Sequence, residues 1–172
     1  VLFFCHNLRY DKKKKGSGRM GKTYEEIKTG ANTFGSSVKI LEPIGKLGLE
    51  QAQGDTGMGL LTQTMIPAIT LNAFTCELAL KAMVVKNGAT YGAIHELNGL
   101  YKMISEEDKR KISEHVISEM KKVSPNYEEI DFTADLDRHA KLFVDWRYFF
   151  EHGVSANLSF MDALFDAVLN VM

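Results

Sequence analysis

The sequence predicts an all-α fold, a helical bundle of about five helices with short additional helical pieces. Three observations predict it. Apolar residues recur at three- and four-residue spacing, helix start and stop signals punctuate the chain, and no segment alternates apolar and polar residues between hairpin turns. With 172 residues, 45% of them hydrophobic and 25% charged, the chain has enough apolar content for one core.

Thr23-Tyr24-Glu25-Glu26 is a capping-box start, followed at helical spacing by Ile27, Ala31, Phe34 and Val38. Gly30 and Gly35 weaken that helix. Pro43, Gly45, Gly48, Gly54, Gly57 and Gly59 then predict a shorter helical piece followed by a loop. A long helix is expected over 59–86. Leu60, Met65, Ile69, Ala73, Leu78, Leu80 and Met83 cover more than one of its faces, which makes it the central, most buried helix. Asn87-Gly88 stops it. A short helix follows over 94–101. Ser105-Glu106-Glu107-Asp108 caps a third long helix with Ile112, Val116, Ile117 and Met120, broken at Ser124-Pro125. A fourth is expected over 133–151, ended by Gly153, and a last amphipathic helix opens at Ser159 to Asp162.

Composition narrows the function classes. The chain carries 21 basic and 22 acidic residues, a formal charge of −1, so the whole is not the electropositive body of a general DNA binder. Cys5 and Cys76 lie far apart, and Cys76 sits on an apolar helix. A reducing compartment without disulfides is expected, and a paired-cysteine zinc site is excluded. Thr56 to Cys76 is uncharged over nearly the length of a membrane span. Its threonines, Gln63, Asn72 and Pro67 predict a buried helix instead. Val1-Leu2-Phe3-Phe4-Cys5 precedes the lysines, the reverse of a signal peptide. A cytoplasmic protein with no membrane contact is therefore expected.

Residues 1–19, with Lys12-Lys13-Lys14-Lys15 and Gly16-Ser17-Gly18-Arg19, form a basic N-terminal tail or linker, and 20–172 a single domain. The tail reads either as sequence upstream of a domain that starts near Met20 or as an arm gripping RNA. No phosphate loop and no nucleophile elbow occur. His6, His95, His115, His139 and His152 include no pair three or four residues apart, so no helical two-histidine metal motif exists and no metal or cofactor is expected.

Four polar residues interrupt apolar helical faces: Glu77, Lys81, His95 and Arg147. Glu77 and Lys81 are one turn apart in the favourable order, Arg147 and Glu151 in the less favourable one. The plainer reading is two intrahelical ion pairs and a loop-capping histidine. Buried pairs add little net stability because desolvation offsets their attraction, so clustering would favour a functional reading.

Three blocks carry a resemblance: Asn72 to Met83; Gly92-Ala93-Ile94-His95-Glu96-Leu97 with Leu100-Tyr101; and Phe143-Val144-Asp145-Trp146-Arg147-Tyr148-Phe149-Phe150-Glu151. In order and type they resemble the HEPN domains (higher eukaryotes and prokaryotes nucleotide-binding), over 60–172. The resemblance implies a helical bundle that dimerises. It also implies either a metal-independent endoribonuclease of a toxin or anti-phage defence type, or a non-catalytic module that binds a nucleotide, RNA or a protein partner such as an antitoxin. The family's catalytic signature is an Arg followed, after four to six residues, by a His. Arg147 and His152 fit it, with Tyr148 where a small polar residue is commoner. In that reading Arg147 holds the phosphate and His152 moves a proton, while Tyr148 orients the phosphate and Glu77 or Glu151 fixes the guanidinium. His95 is the second acid–base candidate and Lys81 a supporting residue.

A five-residue step in a straight helix turns about 140° beyond one full turn and rises about 7.5 Å. Arg147 and His152 therefore meet only across a two-fold axis or by unwinding before Gly153. A His before that glycine is also explained by the helix dipole alone. A purely structural dimer, with Phe160 and Phe165 at its interface, is the third reading.

Overall fold

The computed structural model describes residues 21–50, 61–147 and 155–172. Among these the fold is all-α, with no strand. The helices are α1 (Tyr24–Glu50), α2 (Ile66–Lys86, entered through a π-helical turn, Leu61–Met65), α3 (Leu97–Met103), α4 (Glu106–Met120), α5 (Glu129–Arg138), α6 (Leu142–Arg147) and α7 (Leu158–Val171).

The expected capping box holds α1: Thr23 N–H donates to Glu26 Oε2 at 2.8 Å, and Glu26 N–H to Thr23 Oγ1 at 3.3 Å. The Thr23 N–H, together with the Thr23 hydroxyl donating to the same oxygen at 3.0 Å, favours the carboxylate and holds Glu26 below the usual range. The shorter helical piece expected around Pro43 is the continuation of α1, and the loop expected after it falls on 51–60, outside the described residues. The helix runs through Pro43 to Glu50 because Val38, Gly45 and Gly48 are buried beneath it. Gly45 is packed so closely that a Cβ there would stand 2.9 Å from Met65 Sδ and 3.2 Å from its Cα.

α1 and α2 are antiparallel, with Gly30 facing Leu78, Phe34 against Phe74 and Gly45 facing Met65. α2 is the central helix, as its composition predicts: Ala73, Cys76, Ala79, Leu80, Ala82, Met83 and Val84 are all fully buried. The stretch Gln63–Lys86 is long and apolar enough to cross a membrane, yet 72% of its apolar window is buried inside the bundle. Cys76 behaves as a small core residue, its thiol pushed up by burial. α7 runs antiparallel to α1, joined at one end by Tyr24 Oη donating to the Met172 carbonyl and at the other by Lys46 with Asp162, and packs on α2 and α4. Phe160 and Phe165, considered above as a dimer interface, are instead buried in the chain's own core.

Up to residue 147, the last described residue of the span, the fourth helix expected over 133–151 is two helices. α5 starts earlier, with Glu128 and Asp131 forming a reciprocal capping box, and ends at His139. That histidine is fully buried. Its Nδ1 donates to the Asp135 carbonyl at 2.6 Å and its Nε2 accepts from Asn157 N–H at 2.9 Å. Asn157 caps α7, accepting from Phe160 N–H at 3.2 Å, and its amide reaches Asp135 Oδ2, which also accepts from Tyr127 Oη at 3.0 Å. Arg138 completes the group on Asp135 Oδ1 at 2.7 Å. With both ring nitrogens engaged as donor and acceptor, His139 is neutral, and burial pushes its pKa down from 6.5.

Asp162 goes the other way. Burial, and then Glu42 beside it, raise its pKa to about 6 against the opposing pull of Lys46. His139 binds its proton less tightly folded than unfolded, so its contribution is complete above about 6.5 and is lost as pH falls through its folded value. Asp162 binds its proton more tightly when folded, so its contribution is complete below 3.8 and is lost as pH rises through about 6. Urea midpoints measured across this range should show His139→Gln removing stability lost on acidification, and Asp162→Asn raising the midpoint at neutral pH. Unchanged profiles would contradict these assignments.

Candidate functional site

Glu77 and Lys81 sit one turn apart on α2 and both side chains are buried, at 2% and 8% exposure. Lys81 Nζ donates to Glu77 Oε1 at 2.7 Å. His95 arrives from the loop after α2. Asn87 ends that helix, and Gly88 and Gly92 turn the chain at φ of 76° and 56°, values that side chains with a Cβ rarely adopt. Ile94 N–H then bonds the Tyr91 carbonyl, and Leu97 N–H the Ala140 carbonyl at 2.9 Å. The short helix predicted from 94 starts at Leu97 for this reason: the preceding residues are spent presenting His95 and docking on the α5–α6 junction.

His95 Nδ1 lies 2.9 Å from Glu77 Oε1 and 3.4 Å from Lys81 Nζ. Tyr91 covers Lys81, with the ammonium 4.8 Å from its ring centroid. The His95 side chain is 57% exposed. One buried carboxylate oxygen thus gathers a buried ammonium and a solvent-facing imidazole. The other, Glu77 Oε2, is buried with no hydrogen-bond partner among the described residues. Lys81, enclosed by Glu77 and Tyr91, offsets the charge of Glu77 and does not reach outward to a ligand.

Three of the sequence-predicted residues, Glu77, Lys81 and His95, are therefore brought together from two separated blocks. Arg147 ends α6, which packs on α2 with Phe143 stacked on Phe74 at 4.5 Å. Its side chain lies outside the described residues, as do Tyr148, Glu151 and His152. Sequence reasoning missed Tyr91, whose only signal was an aromatic between two glycines four residues ahead of His95. It also missed the Asp135–His139–Asn157 network. Its signal was a polar pair one turn apart with an Asn-x-x-Phe cap beyond it. Among the described residues, no three His, Cys, Asp or Glu side chains stand close enough to hold a metal ion. Comparison with protein-family models, with curated proteins and with solved structures finds no match to this chain.

Proposed function

We propose that the chain is a HEPN-like helical domain, working in the cytoplasm as a homodimer, that cleaves RNA without a metal. The observation that carries this reading is the meeting of Glu77, Lys81 and His95 at one buried carboxylate oxygen. The first two come from one block of the resemblance and His95 from another. An exposed imidazole held by a carboxylate is the arrangement of a positioned proton-transfer group. Arg147 would stabilise charge growing on the phosphate oxygens and His152 would move the second proton. Cleavage of single-stranded RNA in EDTA should be lost in Arg147→Ala and His152→Ala. Undiminished cleavage by both variants would remove that pair from the mechanism.

One observation favours the non-catalytic reading, in which the same face binds a nucleotide, RNA or an antitoxin-like protein. Glu77 and Lys81 neutralise each other inside the fold, as an anchor would. That reading expects RNA or nucleotides to raise the melting temperature without turnover.

A further inference from the structure

We infer that Glu77 locks His95 in the tautomer with its proton on Nδ1, leaving Nε2 as the proton acceptor of the cleavage reaction; this rests on the RNA-cleaving reading above. Two arrangements of the ring are conceivable. If Nδ1 carried a lone pair it could accept only from Lys81 Nζ, at 3.4 Å, while facing a carboxylate oxygen at 2.9 Å, lone pair against lone pair. If Nδ1 carries the proton, it donates to Glu77 Oε1 at 2.9 Å, a good charge-assisted bond, and Lys81 is merely a neighbour bonded to the same oxygen. The second arrangement keeps the shorter, charge-assisted contact and gives up only the 3.4 Å one to Lys81 Nζ. The hydrogen bond at one ring nitrogen sets the tautomer, so Nε2 is left unprotonated on a side chain that is 57% exposed.

The contrast with His139 is informative. That ring spends both nitrogens inside the protein and has none for a ligand. His95 spends one. Glu77 is a positioning residue, and Lys81 supports it by compensating its charge in a buried place.

The substrate class is that of the RNA-cleaving reading above. A base at Nε2 serves an ester whose own neighbouring hydroxyl is the nucleophile, as in a ribose phosphodiester. Nε2 takes the proton of the 2′-hydroxyl as O2′ bonds to phosphorus. The bond from phosphorus to O5′ breaks, its electron pair leaves on O5′, and that oxygen takes the second proton of the reading above, which bulk water then replaces. The hydroxide so formed takes the proton from His95. The products are a 2′,3′-cyclic phosphate and a 5′-hydroxyl, and a strand lacking the 2′-hydroxyl is not cut.

Two measurements on the full chain test this. Nitrogen-15 correlation spectra of the imidazoles at about pH 8.5, where a typical histidine is neutral, should show His95 protonated at Nδ1, and Glu77→Asp should keep that signature while Glu77→Leu loses it. A wild-type spectrum with the proton on Nε2 overturns the Glu77 role whatever the activity, and does not depend on how the Glu77 variants fold. In EDTA, His95→Ala should lower cleavage of single-stranded RNA by roughly 100-fold or more. RNA binding should change by less than about threefold, and added imidazole should restore part of the rate. Cleavage unchanged in His95→Ala overturns the proton-transfer role alone. A wild-type chain that binds RNA without cutting it overturns that role together with the proposed function, leaving the tautomer to be decided by the spectra.

Discussion

Phe160→Ala should destabilise the protein by about 3–5 kcal/mol, the usual cost of emptying a buried aromatic site, and lower the melting temperature by roughly 10 °C. Phe160 is fully buried near the start of α7. Its ring stacks on His139 with centroids 5.2 Å apart and tilts toward Phe132 at 6.1 Å. Phe132 in turn meets Tyr101 of α3, whose hydroxyl donates to the Lys109 carbonyl at 2.9 Å and whose burial pushes its pKa up to about 12. One ring thus packs α7 against α5, and through Phe132 against α3 and α4. Truncation also uncovers the face of His139, so the loss should exceed that of Ile130→Ala, a side chain 75% exposed. Equal losses in the two variants, read from urea unfolding, would refute this account of the core.

Lys81→Met should cost about 3–5 kcal/mol as well, for a different reason: it leaves the buried Glu77 carboxylate without its ammonium. His95 stays bonded to the same oxygen, but it stands in water and compensates less. Replacing both members, Glu77→Leu with Lys81→Met, should recover most of the loss, because an apolar pair of similar volume escapes desolvation. A double-mutant cycle gives the coupling directly. If the double variant is as unstable as the sum of the singles, the pair is not a compensated unit and its role as the platform for His95 fails too.

The fold class was legible because helical periodicity and caps are local. Thr23 with Glu26, Ser105 with Asp108, and Asn87-Gly88 each act within a few residues, and each stands where its pattern placed it. The misreadings concern places where distant residues decide. Pro43 and its neighbouring glycines look like a separate, shorter piece, but α1 continues through Pro43 with Gly45 packed against Met65. The span 133–151 looks continuous because its apolar spacing persists, yet His139 ends α5 by bonding to Asn157, 18 residues on. At the candidate site, Glu77 and Lys81 were visible as polar residues in an apolar stripe. The approach of His95 depends on two left-handed glycines and on Leu97 pairing with Ala140, which no spacing rule reports.

The bond between His139 and Asn157 has a topological consequence. At 2.9 Å it closes the intervening chain into a non-covalent ring, and Arg147 and His152 both belong to that ring. Its two ends are clasped at the bundle, and its first part is held there as well, by α6 on α2 and by the Ala140 carbonyl on Leu97 N–H. Lengthening it is cheap, since each doubling of a loop costs only about 0.6 kcal/mol in closure entropy. Opening the clasp is not, because it leaves Asn157 N–H and the buried His139 Nε2 without each other. Evolution could therefore remodel the chain between α6 and Asn157, in length and in side chains, while the bundle that carries it stays the same.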